Sequence, residues 1–153
     1  MKDWTGNRTA SLAALAPSNR STAPRSAEDY YATEPKAVEL LLSLESFSKR
    51  IWEPACGGGH ISRVLRAAGH DVRESDIIDR CGNEVRDFLL SFPEHWDGDI
   101  VTNPPYSLAA EFVSRALDCV SEGAKVAMFL KLTFLESQKR KMLFLLSPPV
   151  AYG

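Results

Sequence analysis

Asn103-Pro104-Pro105-Tyr106 is the stretch of this chain whose residue types most narrowly specify a chemistry. A residue that precedes proline is pushed into extended geometry, so Pro105 restrains Pro104 and Pro104 restrains Asn103, while neither ring nitrogen carries a hydrogen. The product is a stiff corner rich in acceptors. The Asn103 side-chain oxygen and the Pro104 carbonyl could accept the two N–H groups of an amine, and the Tyr106 ring offers a flat face to a planar base or amide. An amino group conjugated to a ring, such as N6 of adenine, is a poor nucleophile because its lone pair is delocalised, and two acceptors in place localise it. In-line attack on a sulfonium methyl then needs proximity, orientation and charge stabilisation, with no covalent enzyme intermediate. The plainer reading is a proline-rich turn that ends a strand.

A second constellation lies upstream. Glu53-Pro54-Ala55-Cys56-Gly57-Gly58-Gly59-His60 places glycines where a chain without Cβ atoms can turn tightly and admit a ligand to its backbone. Asp76 follows Gly57 by nineteen residues, at a strand end where a carboxylate can accept hydrogen bonds from both hydroxyls of a ribose. Together they suggest an adenosine-containing cofactor. Ser62 stands where the dinucleotide fingerprint has its last glycine, and no G-x-x-x-x-G-K-S/T run is present, which counts against NAD, FAD and nucleoside triphosphates. By itself the segment also reads as an ordinary tight turn with Asp76 capping the next loop. Cys56 is expected to pack as a small hydrophobe, and the sequence displays no metal-binding cluster.

Alternating elements must hold these residues. From Pro35, which suits a first helical turn, Ala37, Val38, Leu40, Leu41, Leu42 and Leu44 set a helix to about Ser46. Arg50–Glu53 reads as a short buried strand, and Ile61, Val64, Leu65 and Ala68 restore helical spacing up to Gly69. Val72–Ile78, Asp99–Thr102 and Lys125–Leu130 are further strands, the last a continuous apolar run suited to a central parallel position. Between the last two, Leu108, Phe112, Ala116, Leu117 and Val120 line a helical face from about Ser107, and Gly123 sits where that helix would stop. The pattern predicts an open, mostly parallel α/β sheet, with both constellations at the carboxyl ends of strands.

The chain of 153 residues, 44% hydrophobic, is of single-domain size, and no apolar run is long enough to span a membrane. Three widely spaced cysteines argue against a disulfide framework and fit a reducing, cytoplasmic setting. Residues 1–27 carry four cations and one anion in a Ser/Thr/Ala-rich composition that reads as a flexible arm, leaving 14 cations against 19 anions, or −5, for residues 28–153. Any basic surface for a nucleic acid must therefore be local.

At these motifs the sequence resembles the N6-adenine DNA methyltransferases, particularly the small phage and prophage type. The resemblance spans most of the chain and implies the Rossmann-like S-adenosylmethionine-dependent methyltransferase fold over residues 28–153. It implies that Asn103, Pro104, Pro105 and Tyr106 are the catalytic motif, and that Glu53, Pro54, Ala55, Gly57 and Gly59 belong to the S-adenosylmethionine loop. Asp76 would be the ribose ligand, and Asp87 and Phe88 the contact beside the cofactor's adenine. Trp4–Asn7 and Asp29–Pro35 resemble the family's N-terminal segments, with Tyr31, Thr33 and Pro35 closing over the methionine moiety. Lys131–Glu136 resembles the segment near the target-base pocket. DNA adenine is the implied partner. Fewer than fifty residues follow Tyr106, which leaves no room for a target-recognition domain. The last residues, Val150–Gly153, fall where the family begins its antiparallel strand pair, so a C-terminal truncation is expected. The same corner serves enzymes that methylate exocyclic amines of RNA or a protein glutamine amide. A non-catalytic module that keeps only the fold is the alternative from another class.

Overall fold

The computed structural model describes residues 32–90 and 94–130. The arm of residues 1–27, Tyr31, the Lys131–Glu136 segment and the expected truncation point all lie outside the described residues.

The described chain runs α1 (Pro35–Leu44), β1 (Arg50–Glu53), α2 (His60–Ala67), β2 (Asp71–Asp76), β3 (Glu84–Val85), β4 (Asp99–Thr102), a 3₁₀ turn (Tyr106–Leu108), α3 (Ala109–Cys119) and β5 (Val126–Met128). All strand pairings are parallel, in the order β3-β2-β1-β4-β5. This is an α/β sheet of Rossmann-like order, whose direction of progression reverses between β1 and β4.

Strand periodicity sorts the core onto two faces, because successive side chains point to opposite sides of a sheet. Ile51, Val101 and Ala127 face α1 and α2 through Val38, Leu41, Ile61 and Leu65. Trp52, Ile100, Val126 and Met128 face α3 through Phe112, Val113, Ala116 and Leu117. Strands buried on both faces read as unbroken apolar runs for this reason. At the opposite edge from the glycine turn, the buried Asp99 carboxylate accepts the Ser48 amide at 2.6 Å and the Lys125 amide at 2.8 Å, so one side chain ties the chain entering β1 and β5 to the start of β4.

Several boundaries differ from expectation, each for a local reason. Helix α1 stops at Leu44, since Glu45 turns extended while its amide still bonds the Leu41 carbonyl. Strand β2 stops at Asp76, and Ile77 is exposed beyond it. Strand β5 is shorter than Lys125–Leu130, although the Phe129 amide still reaches the Thr102 carbonyl at 3.0 Å. Leu108 does not join the buried face of α3, because the 3₁₀ turn before the helix puts it out of phase and leaves it 41% exposed. That helix ends at Cys119 rather than at Gly123, because Val120 becomes extended and bridges to Trp96. Helix α2 ends as read: the Gly69 amide bonds the Arg66 carbonyl and the His70 amide bonds that of Leu65, a Schellman motif with Gly69 at φ +96°. Strand β3 was not anticipated. It is two residues long, one charged and one apolar, both exposed, and carries no periodicity to find. No helix among the described residues is long and apolar enough to cross a membrane.

Candidate functional site

The carboxyl ends of β1, β2 and β4 are neighbours in the sheet, so Glu53, Asp76 and Thr102 meet at one edge. The glycine turn leaves β1 there. Its hydrogen bonds are specific: the Cys56 amide bonds the Ser75 carbonyl, the Gly57 amide bonds Asp76 Oδ2 at 2.8 Å, and the Gly59 amide returns to the Cys56 carbonyl. Gly59, the N-cap of α2, sits at φ +83°, a region that a side chain disfavours. Pro54 is fully buried and Ala55 half-buried behind the turn.

Asp76 thus has a structural duty. One carboxylate oxygen fixes the glycine turn and the other accepts the Ile78 amide at 3.3 Å, while the residue stays 8% exposed. A carboxylate offers about four lone-pair sites, so two backbone partners do not exhaust it. Asp87 lies two residues beyond β3, which pairs with the end of β2, and so stands at the same edge. Its Oδ1 accepts the Leu89 amide at 3.0 Å. Phe88 does not present its ring to that edge: it is 2% exposed, with its centroid 5.1 Å from that of Trp52 and 5.2 Å from that of Phe112. Any ligand contact by Phe88 would have to use its backbone.

Glu53 is 1% exposed, in the seam where the sheet order reverses. The Thr102 hydroxyl donates to Oε1 at 2.9 Å, whereas Oε2 has no hydrogen-bond partner among the described residues. Burial pushes this carboxyl well above its ordinary range, only partly offset by the Thr102 bond, and the nearby Asp76 raises it further.

Asn103 follows Thr102 without a break, and its Nδ2 donates to the Thr33 hydroxyl at 2.9 Å across seventy positions of sequence. That bond brings the segment before α1 onto the proline corner. It also makes the nitrogen end of the carboxamide the one turned to Thr33. Pro35, at the start of α1, is exposed. Pro104 is fully buried, and the turn that follows takes the Pro105 carbonyl, bonded by the Leu108 amide at 3.0 Å, rather than that of Pro104. Tyr106 is 7% exposed, so stacking on its face would require the covering side chains to move.

No family model matches the chain, and no curated protein matches it.

Cys56 is buried, as its expected packing role requires, and burial followed by the Glu53 carboxylate pushes its thiol up, away from nucleophilic use. The sequence, however, hid a contact. Cys81, on the loop after β2, lies beside Cys56 and Glu74, with the three ligand-type atoms within 4.8 Å of one another. No C-x-x-C spacing marks the group, because the sheet rather than the local chain assembles it.

Proposed function

We propose that this protein is an S-adenosylmethionine-dependent methyltransferase acting on an exocyclic amino nitrogen, with N6 of a DNA adenine as acceptor. The observation that carries the reading is the Asn103–Tyr106 corner at the end of β4, next to the glycine turn of β1, with the Asn103 carboxamide oriented by Thr33.

The residues present fit that cofactor on one ground: the buried Glu53 carboxyl has an oxygen with no partner among the described residues, a polar position at this edge that a ligand group could fill. Asp76 and Asp87 would hold the ribose and base beside the glycine turn, and Glu53 Oε2 would meet a polar group of the methionine moiety. When bound, S-adenosylmethionine supplies the methyl group on a cationic sulfur. Asn103 and the Pro104 carbonyl would accept the N–H groups of the acceptor amine and draw its lone pair out of the ring. Thr33 keeps the Asn103 amide from rotating, so the acceptor is in place before the substrate arrives. The proton released on transfer passes to solvent through these acceptors.

The test is incubation with methyl-labelled S-adenosylmethionine and separate DNA, RNA and protein fractions, followed by digestion to nucleosides and amino acids. Label in N6-methyladenine from DNA is expected. No label in any fraction would sink the enzymatic reading. Label in protein glutamine would move the acceptor to a side-chain amide, which the net charge of −5 over residues 28–153 (14 cations, 19 anions) favours.

A further inference from the structure

We propose that Cys56, Glu74 and Cys81 form a three-ligand site for Zn²⁺, with a fourth position open to water, that staples the glycine turn to the loop between β2 and β3. Three ligands of the types that zinc prefers converge from three places in the chain. Cys56 comes from the turn after β1, Glu74 from the middle of β2 and Cys81 from the loop beyond it.

The dimensions fit. Zinc bonds of about 2.3 Å to sulfur and 2.1 Å to oxygen imply tetrahedral edges of about 3.8 Å between two sulfurs and about 3.6 Å between sulfur and oxygen. Cys81 Sγ lies 3.5 Å from Glu74 Oε2, and all three ligand atoms lie within 4.8 Å of one another, so closing the site needs side-chain shifts of under about 1 Å.

The surroundings hold Glu74 and Cys81 in place. Arg66 bonds Glu74 Oε1 and also the Val72 carbonyl, which holds the carboxylate with Oε2 turned to Cys81, as an outer partner orients a metal ligand. Asn83 Oδ1 accepts the Arg80 and Cys81 amides, and Asp79 Oδ1 accepts that of Gly82, so the Cys81 loop is built rather than loose. On binding, two thiols each lose a proton to solvent. Two thiolates and one carboxylate against a dication leave one negative charge, which Arg66 balances. The Arg63 guanidinium, bonded to the Gly58 carbonyl at 2.9 Å, lies on the same side and opposes a bare cation, so the thiolates are needed to bring the metal in. Cys81 and part of Glu74 are exposed, which provides an entry path.

This site does not depend on the methyltransferase reading. The full chain, reduced and stripped of metal, is titrated with Co²⁺ and then Zn²⁺. One Co²⁺ per chain should bind, with a thiolate-to-cobalt charge-transfer band that Zn²⁺ displaces, and calorimetry in buffers of different ionisation enthalpy should show proton release. Cys81→Ser, at an exposed position, should fold normally by circular dichroism and lose most of the band. Arg66→Gln should weaken the metal by about 10–100-fold through its outer contact. A reduced chain with no charge-transfer band, or a band that survives in Cys81→Ser, would overturn the proposal. So would a Cys56–Cys81 disulfide in air combined with no metal uptake after reduction.

Discussion

Asn103, Asp76 and Glu53 each combine a structural contact with a proposed chemical one, and substitutions can separate the two. Asn103→Ala should leave S-adenosylmethionine affinity nearly intact and cut turnover on the order of a hundredfold, since its oxygen matters as charge develops on the amine. Thr33→Val removes one bond that orients Asn103, so about 1 kcal/mol, roughly a fivefold loss of turnover, is expected. Single-turnover methyl transfer beside a binding titration checks both. Asp76→Ala strips a partner from the buried Gly57 amide and should destabilise the fold by about 1–3 kcal/mol. Asp76→Asn keeps an acceptor for Gly57 and should stay folded, yet bind the cofactor more weakly, as denaturant melts and calorimetry would reveal; unchanged affinity would remove Asp76 from the site. Glu53 holds its proton in the folded state to a higher pH than in the unfolded chain, whose ordinary value is 4.5. Unfolding therefore releases a proton as pH rises past that value, and the Glu53 contribution to stability falls until the folded carboxyl itself ionises. Glu53→Gln, which mimics the protonated form and keeps an acceptor for Thr102, should flatten that decline in melts across pH.

Among the elements, β1 and β4 form the seam that brings the glycine turn to the proline corner, and their approach is close at its lower end too. A Cβ on Gly98, just before β4, would stand 2.5 Å from the Arg50 carbonyl oxygen and 3.0 Å from Trp96 Nε1. The oxygen is backbone within a paired strand, so it cannot swing aside. Gly98→Ala should cost about 1–3 kcal/mol by overpacking, measured as a lower denaturant midpoint, while Gly69→Ala, with no atom within 4 Å, should show only the smaller strain of its left-handed φ. Equal stability of the two variants would mean that the seam is looser than these distances.

For the whole molecule the governing quantity is charge. A formal net charge of −2 leaves little general attraction for a polyanion, so on the proposed function DNA would be held through few phosphates. The slope of log affinity against log salt should fall well short of the roughly −5 to −9 expected for six to ten phosphate contacts. Fluorescence anisotropy with a labelled duplex over a salt series measures it; a slope in that steep range would imply a basic surface that the composition does not provide.

The sequence by itself determined what local patterns can encode. Unbroken apolar runs at Ile51–Trp52, Ile100–Val101 and Val126–Met128 marked strands buried on both faces, and Pro35 and Gly69 marked helix ends, because hydrophobic burial and backbone restriction act within a few residues. The Asn103–Tyr106 corner and the glycine turn were equally legible as motifs after strands. Strand β3 was not, since pairing with β2 rather than any preference of Glu84 and Val85 makes it a strand. The phase of Leu108 and the stop at Cys119 also escaped, the first because a short 3₁₀ turn carries no period of its own and the second because it depends on a bridge to Trp96. Only the tertiary structure decided that Thr33 grips Asn103, that Glu53 is shut in the seam with Thr102, that the Phe88 ring belongs to the core, and that Cys81 meets Cys56 and Glu74. Those contacts join residues that no sequence period links, and they exist because parallel strands carry successive chain segments to the same edge of one sheet.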